Sequence, residues 1–301
     1  MSAFKKAFNG QVDIADAMKW TNVNNREGTD QMLDLFDKIK ANPATYGMQV
    51  KARDNVSAVV DKIRDMIDNY QVFMDSPLQA YYQDKSFDHY TVFDLIGWLF
   101  SVCGDSPSEA SRSNYYYPLS ALFSVFSRLA ASDGNDEPQM VQVTWFTQTV
   151  GQSAITRAVV GANLDDNAGE HRDEKDSTRT ARAQMFVDVG LLDQSKIDDS
   201  LVKAPSASGS GPKRRAFAQL YGHCAETYPF LYLQSVQSQI PQLQAAAGLA
   251  LRTTDLLPSN SSIPLDYAEA DVIAAITNPC ANCTDLIQKL KLNYDNFKKP
   301  S

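Results

Sequence analysis

The sequence predicts a mainly α-helical protein of two lobes, with polar arms at both ends and at most a minor strand near residues 140–150. Three observations favour this fold class. Apolar residues recur at three- and four-residue steps along most of the chain, as on one face of an amphipathic helix. Capping residues, prolines and glycines separate these stretches. A segment rich in Gly, Ser and Pro, residues 204–212, divides the chain into two parts, as a linker does.

The most regular pattern, over residues 56–74, predicts a helix with one apolar face. Charged residues fill the opposite face, so this helix is expected to contact a core on one side only. The apolar positions are Val56, Val59, Val60, Ile63, Met66, Ile67, Tyr70 and Met74. Further on, Thr91 and Asp94 have the spacing of a capping box. The residues behind it, 92–103, are apolar nearly all round and predict a central buried helix.

Residues 140–150 form the ambiguous stretch of the chain. Val141, Val143 and Trp145 alternate with polar residues, which is typical of a half-buried strand. A single strand without an evident partner argues for a minor element at most. Beyond the linker, apolar steps of three and four continue through residues 213–292, which predicts a second, smaller helical lobe.

Shifts in composition predict five segments along the chain. The N-terminal stretch has mixed polarity and is rich in turn residues, and the C-terminal stretch is basic, so both are interpreted as arms. The predicted segments are an N-terminal arm (1–28), a larger helical lobe (29–203), a linker (204–212), a smaller helical lobe (213–292) and a C-terminal tail (293–301).

Composition and charge place the chain among folded proteins. Of its 301 residues, 44% are hydrophobic and 21% are charged, and 28 Lys and Arg against 36 Asp and Glu leave a net charge of −8. These values exclude wholesale disorder and collagen-like repetition. The N-terminus lacks the apolar core of a signal peptide, and no run of ~18 apolar residues occurs. We therefore expect an intracellular (cytoplasmic) or virion location, without secretion and without a membrane partner.

The four cysteines are too few for a disulfide framework in a chain of this length. Cys280 and Cys283 have the CxxC spacing, but a structural zinc site needs four ligands. Cys103 and Cys224 are isolated in the sequence, and the three histidines are scattered. The thiols are therefore interpreted as buried and inert, with a redox or metal-binding pair as the alternative.

Common catalytic and cofactor motifs are absent from the sequence. It contains no P-loop, no GxGxxG, no GxSxG elbow and no HExxH. The acidic run over residues 165–176 lacks the EF-hand order of ligands, and its carboxylates do not recur one helical turn apart beside an apolar helix. It is interpreted as a solvated face. The sequence thus assigns no catalytic residue, no metal ligand and no cofactor.

Scattered cations and tyrosines suggest contact with single-stranded RNA, because arginines neutralise phosphates and tyrosines stack on unpaired bases. A cationic triplet lies directly after the linker, and further arginines lie on otherwise apolar helices. The candidate RNA-binding residues are Lys213, Arg214, Arg215, Arg112, Arg128, Arg157, Arg179, Arg182, Tyr115 and Tyr116. The alternatives are a solvated linker end for the triplet, a core cluster for the tyrosines and ion pairs with acids for the arginines.

These observations favour a structural, self-assembling protein, such as a viral nucleocapsid or coat protein that packages single-stranded RNA. Its arms would dock on neighbouring copies, so the expected partners are the chain itself, as a homo-oligomer, and RNA. The net charge of −8 counts against this hypothesis, because nucleic-acid binders usually carry a basic surface. Two alternatives stay open: an all-helical enzyme that uses carboxylates, and a helical adaptor that binds a partner helix.

Overall fold

The computed structural model describes residues 5–20, 26–131, 137–164, 172–197, 220–256 and 269–300. In these ranges the chain forms two antiparallel sheets, of two and four strands, packed among α-helices. The prediction of a mainly α fold with a minor strand is therefore wrong, and the fold is mixed α/β.

The helices and strands named below have the following bounds. The helices are α1 Ile14–Met18, α2 Arg26–Ala41, α3 Val56–Asp68, α4 Val92–Val102, α5 Tyr117–Ala130, α6 Arg172–Asp188, α7 Thr227–Ser235, α8 Thr253–Leu256, α9 Glu269–Ala275 and α10 Ala281–Lys289. The strands are β1 Phe73–Tyr82, β2 Lys85–Thr91, β3 Met140–Val150, β4 Ser153–Ala162, β5 Ala247–Arg252 and β6 Ile276–Thr277. A π-helical turn, Arg112–Tyr116, leads into α5.

The four-stranded sheet has the order β4-β3-β5-β6, with every neighbouring pair antiparallel. Strand β3 is the ambiguous stretch of the sequence, and it is central rather than minor. Its register pairs Val143 with Val160 of β4 on one side and with Leu249 of β5 on the other. Because β3 precedes the predicted linker and β5 follows it, both parts of the chain contribute to one sheet instead of forming two lobes.

Helices lie on both faces of β4. Val160 faces α4, where a Cβ built on Gly97 would lie 3.6 Å from the Val160 side chain. Gly161 points the other way, and a Cβ there would lie 2.4 Å from the carbonyl oxygen of Ala225, just before α7. Since successive residues of a strand point to opposite faces, α4 and α7 are the outer layers of an α/β/α arrangement around this strand.

Neighbouring segments cover the open edge of β4. The backbone N–H of Ser106 donates to the carbonyl of Thr156 at 2.9 Å, and the N–H of Val160 donates to the Ser101 hydroxyl at 3.0 Å. Farther along, the Arg182 guanidinium donates to the carbonyl of Ala162 at 2.8 Å. These bonds satisfy groups that an exposed edge strand would offer to another chain.

The local helix predictions hold where a stripe or a cap signals them. Helix α3 begins at Val56 as predicted but ends at Asp68, since Tyr70 is exposed and Met74 lies in β1. Helix α4 begins with both bonds of the predicted capping box: the Asp94 N–H donates to the Thr91 hydroxyl, and the Thr91 N–H donates to the Asp94 carboxylate, each at 3.1 Å. Every residue of α4 is buried.

The described parts of both predicted arms lie on the body of the same chain. In the N-terminal arm, Phe8, Ile14 and Met18 are buried, and the Phe8 ring packs on Phe100 with centroids 4.8 Å apart. In the C-terminal tail, Phe297 is buried. The predicted linker lies outside the described residues. Within the described residues, no helix combines the length and the apolar character needed to cross a membrane.

Candidate metal centre

Three of the four cysteines meet in one cluster. The sulfur atoms of Cys224, Cys280 and Cys283 all lie within 4.8 Å of one another. The Sγ atoms of Cys224 and Cys280 are 3.5 Å apart, and those of Cys280 and Cys283 are 3.3 Å apart. The structure thus joins the CxxC pair to a cysteine 56 residues earlier, which the sequence analysis treated as isolated.

A tight turn just before α7 places Cys224. Gly222 has φ +84°, and a Cβ built there would lie 2.1 Å from the carbonyl oxygen of Arg179 on α6. The next residue, His223, accepts a backbone bond of 3.1 Å from the N–H of Leu164. The Thr227 hydroxyl then donates to the Cys224 carbonyl at 2.7 Å. Only glycine fits this turn, because a side chain here would clash with α6. The turn packs the Cys224 segment against α6 and the end of β4.

The first turn of α10 places the other two thiols. Cys280 is the N-cap residue, and its sulfur accepts a bond of 3.5 Å from the backbone N–H of Cys283. Helix α7 also begins at the cluster, with Glu226 as its N-cap residue. The N-terminus of α10 therefore directs its partial positive charge towards the Cys280 sulfur, which stabilises a thiolate.

The three thiols differ in acidity. Hydrogen bonds with the thiols of Cys224 and Cys283 lower the pKa of Cys280 to about 3. Burial, followed by the bonds with its two neighbours, raises the pKa of Cys283. Cys283 is buried, whereas Cys224 and Cys280 are partly exposed. The cluster therefore contains one stabilised thiolate and is open to solvent on one side.

The donor set fits a soft metal ion such as zinc. Three sulfurs that bind zinc tetrahedrally at about 2.3 Å lie about 3.8 Å apart, close to the observed 3.3 and 3.5 Å. Among the described residues, no fourth His, Cys, Asp or Glu completes the group. Structural zinc sites have four protein ligands, whereas catalytic sites have three and an open position.

A buried carboxyl group lies beside the thiols. Glu226 is 6% exposed and follows Cys224 by two residues. Burial, and then the negative charge of Cys280, raise the pKa of Glu226 to about 7. A carboxyl group with a pKa near neutrality can both accept and donate a proton at physiological pH.

The predicted RNA-binding tyrosines form a core cluster. Tyr116 stacks on Trp145 of β3 with ring centroids 4.1 Å apart and planes 8° apart, and Tyr115 packs edge-on against Tyr116. Arg112 lies over the Trp145 ring at 5.8 Å and donates to the carbonyl of Asn296 at 3.0 Å. Both tyrosines are buried, as in the alternative interpretation of these residues.

The four predicted arginines of the helices and of β4 are each at most 7% exposed, and each faces a carboxylate of the same chain. The N···O distances are 2.9 Å for Arg128–Glu137, 2.5 Å for Arg157–Asp105, 3.8 Å for Arg179–Asp176 and 3.5 Å for Arg182–Asp94. Lys213, Arg214 and Arg215 lie outside the described residues. RNA binding by these residues stays a prediction.

The sequence analysis missed Cys224 and Glu226 as functional residues. A signal for them was present: Cys224 and Glu226 are two residues apart, and a Pro-Cys-x-x-Cys segment, Pro279–Cys283, follows. No family model matches the chain, and the comparisons with curated proteins and with solved structures found no match either.

Proposed function

We propose that the protein is a zinc-dependent hydrolytic deaminase that removes the exocyclic amino group of a nucleobase. The observation that carries this proposal is the cluster of three thiols with the buried carboxyl of Glu226 beside it. Zinc deaminases of nucleobases use a three-residue set of Cys and His ligands and a Glu that is not a ligand. Their sequence signature has a ligand two residues before this Glu, followed by Pro-Cys-x-x-Cys, and Cys224, Glu226 and Pro279–Cys283 match it.

Cys224, Cys280 and Cys283 would hold the metal, which supplies an activated water as the nucleophile when it is bound. The oxygen of the water bonds to the ring carbon that carries the amino group. The carbon–nitrogen bond then breaks, so the products are a ring carbonyl and ammonia. Glu226 would take one proton from the water and deliver it to the ring nitrogen, and would then carry the remaining hydroxyl proton to the departing amino group, roles to which its pKa of about 7 is suited.

A purely structural zinc site is the nearest competing interpretation. It would need a fourth ligand, and the described residues offer none within the group. It would also give no reason for a buried, partly protonated carboxyl group at the thiols, since such burial is unfavourable without a compensating role. The open position and the carboxyl group together favour catalysis.

Metal analysis and ammonia release test the proposal. The purified protein is expected to contain one equivalent of zinc and to release ammonia from at least one of a panel of cytosine and adenine compounds. The panel comprises free bases, nucleosides, nucleotides and single-stranded oligonucleotides. Glu226→Gln is expected to retain zinc and to lower kcat by ~10²–10⁴-fold, because proton transfer is lost while the thiols are intact. Cys280→Ser is expected to lose both zinc and activity.

Two control variants match these substitutions. Cys103→Ala removes the thiol that lies outside the cluster, and Glu109→Gln removes an exposed carboxylate that is paired with Lys5. Both are expected to retain zinc and turnover. A zinc-loaded protein that releases no ammonia from any compound of the panel would overturn the proposal. So would an active enzyme whose rate is unchanged in Glu226→Gln.

Self-assembly around single-stranded RNA stays a prediction. The described arms pack on their own chain, and Arg128, Arg157, Arg179 and Arg182 face carboxylates of that chain. The thiol cluster gives more specific support to the enzyme hypothesis.

A further inference from the structure

We propose that Tyr221 is a positioning residue for the metal centre, which it holds together through a hydrogen bond to Asp285. This inference rests on the proposed metal site and assigns a role to residues that are not ligands. It concerns how the two thiol-bearing segments, which are far apart in the sequence, are kept at the separation that the metal needs.

One hydrogen bond crosses directly between these segments. The Tyr221 hydroxyl donates to Asp285 Oδ2 at 2.7 Å. Tyr221 precedes Cys224 by three residues, and Asp285 follows Cys283 by two residues on α10. The bond therefore joins the Cys224 segment to the helix that carries the other two thiols. A hydroxyl bond to a carboxylate is short and stronger than one between neutral groups.

The surroundings support this hydrogen bond. Lys289, one turn later on α10, lies 3.3 Å from the same Asp285 oxygen. Burial, and then the bond to Asp285, raise the pKa of Tyr221 above its usual value, so the phenol stays a donor.

The thiols do not provide a comparable link by themselves. At the cluster the segments meet through contacts between sulfurs, such as the 3.5 Å approach of Cys224 to Cys280, and S–H groups are weak donors and acceptors. The Tyr221–Asp285 bond is thus the stronger described link between the segments. The Tyr221–Asp285 bond would keep the three sulfurs close together before a metal binds. Neither of its residues is a metal ligand.

Metal affinity and cobalt spectroscopy test this role. Tyr221→Phe and Asp285→Ala are each expected to weaken zinc binding by ~10-fold in a chelator competition, the lower end of the effect of residues that orient metal ligands. Asp285→Asn leaves an acceptor oxygen for the phenol and is expected to restore most of the affinity. With Co²⁺ in place of zinc, Tyr221→Phe should also shift the ligand-field bands, because the sulfur geometry changes.

Tyr232→Phe is the matched control, since it removes another buried tyrosine hydroxyl, bonded to Gln83 and Gln148. It is expected to lower thermal stability and leave zinc affinity and the cobalt spectrum unchanged. If Tyr221→Phe binds zinc like the wild type, with the same cobalt spectrum, the positioning role is overturned while the metal site stands. A wild-type protein that binds no zinc would overturn the metal site and this role together.

Discussion

At the scale of single residues, His89 shows how burial determines a protonation state. Its ring is fully buried and stacks on Tyr228 with centroids 4.8 Å apart. Nδ1 lies 3.3 Å from the carbonyl of Leu78, and Nε2 lies 3.2 Å from the Tyr82 hydroxyl. A neutral imidazole satisfies both contacts, with Nδ1 donating and Nε2 accepting. Desolvation lowers the pKa of His89 to about 4, although the nearby Asp94 opposes this shift.

This histidine should make folding stability depend on pH. The pKa of His89 is about 4 in the folded state, below its ordinary 6.5. Its contribution to stability is therefore complete above pH 6.5 and is lost as the pH falls towards 4, by up to ~1.4 kcal/mol per pH unit. Urea unfolding from pH 4.5 to 7.5 measures this slope. In His89→Asn the slope over this range should be smaller than in the wild type, and parallel profiles would contradict the assignment.

Gly222 is the residue on which the position of Cys224 depends most. In Gly222→Ala, a methyl group would lie 2.1 Å from the Arg179 carbonyl, and the backbone would be held at φ +84°. We expect a loss of more than ~2 kcal/mol of stability together with reduced zinc content, because Cys224 must move away from the other thiols. Denaturant unfolding and metal analysis measure both effects.

Gly190 provides a control for this substitution. It also has positive φ, +72°, but a Cβ there meets nothing within 4 Å. Gly190→Ala should therefore show only the backbone strain, ~1 kcal/mol, and retain its zinc. Equal metal content in the two alanine variants would mean that the close contact with α6 does not position Cys224.

At the scale of elements, the start of α4 combines capping with burial. The Asp94 carboxylate accepts bonds from the backbone N–H groups of Tyr90 and Thr91 and from the Tyr228 hydroxyl, each at 3.1 Å. One carboxylate thus bonds to the last two residues of β2, caps the first turn of α4 and contacts a side chain of α7. This arrangement links the layers on the two sides of the sheet.

Thr91→Ala should lower stability by ~1–2 kcal/mol, because the buried N–H of Asp94 loses its acceptor. Thr91→Ser keeps the hydroxyl and should recover most of this loss. Midpoints of urea unfolding for the two variants compare them directly. If both variants lost the same stability, the methyl group rather than the cap would be responsible.

The sequence predicts those elements whose signals are local. The stripe from Val56 and the capping box at Thr91 each lie within one helix, and both helices are present. Strand β5 was missed because its residues, Ala247–Arg252, are Ala- and Leu-rich and buried on both faces, so they do not alternate. Without β5, strand β3 lacks a partner on one side and looks minor.

The candidate site is harder to predict because its contacts are not local. Cys280 and Cys283 are visible as a CxxC pair, but their approach to Cys224 depends on the path of the chain between them, which includes strands β5 and β6. The partners of three arginines likewise lie outside the helix or strand that carries the arginine. The positive charge of these residues suggested that they bind a polyanion, whereas tertiary packing pairs Arg128 with Glu137, Arg157 with Asp105 and Arg182 with Asp94.

At the scale of the whole molecule, the thiol cluster joins two segments that are far apart in the chain. The Cys224 segment packs on α6 and leads into α7, while α10 follows the edge strand β6. A metal bound here would connect the α7 layer to the last helix of the chain. Its binding free energy would then contribute to the stability of the entire protein, since the unfolded chain has no preformed site.

Chelation should therefore lower the unfolding temperature of the whole domain. A metal ion that is present at ~1,000 times its dissociation constant stabilises the folded state by ~4 kcal/mol. Removing it with a strong chelator should shift Tm down by several degrees, as differential scanning calorimetry would measure.

Cys224→Ser should unfold at the lower temperature with or without chelator, because it lacks one ligand. Cys103→Ala should stay sensitive to the chelator, because its substitution lies outside the cluster. If the Tm of the wild type did not respond to chelation, the thiols would not hold a metal that is coupled to folding. Their proximity would then have to be explained by packing alone.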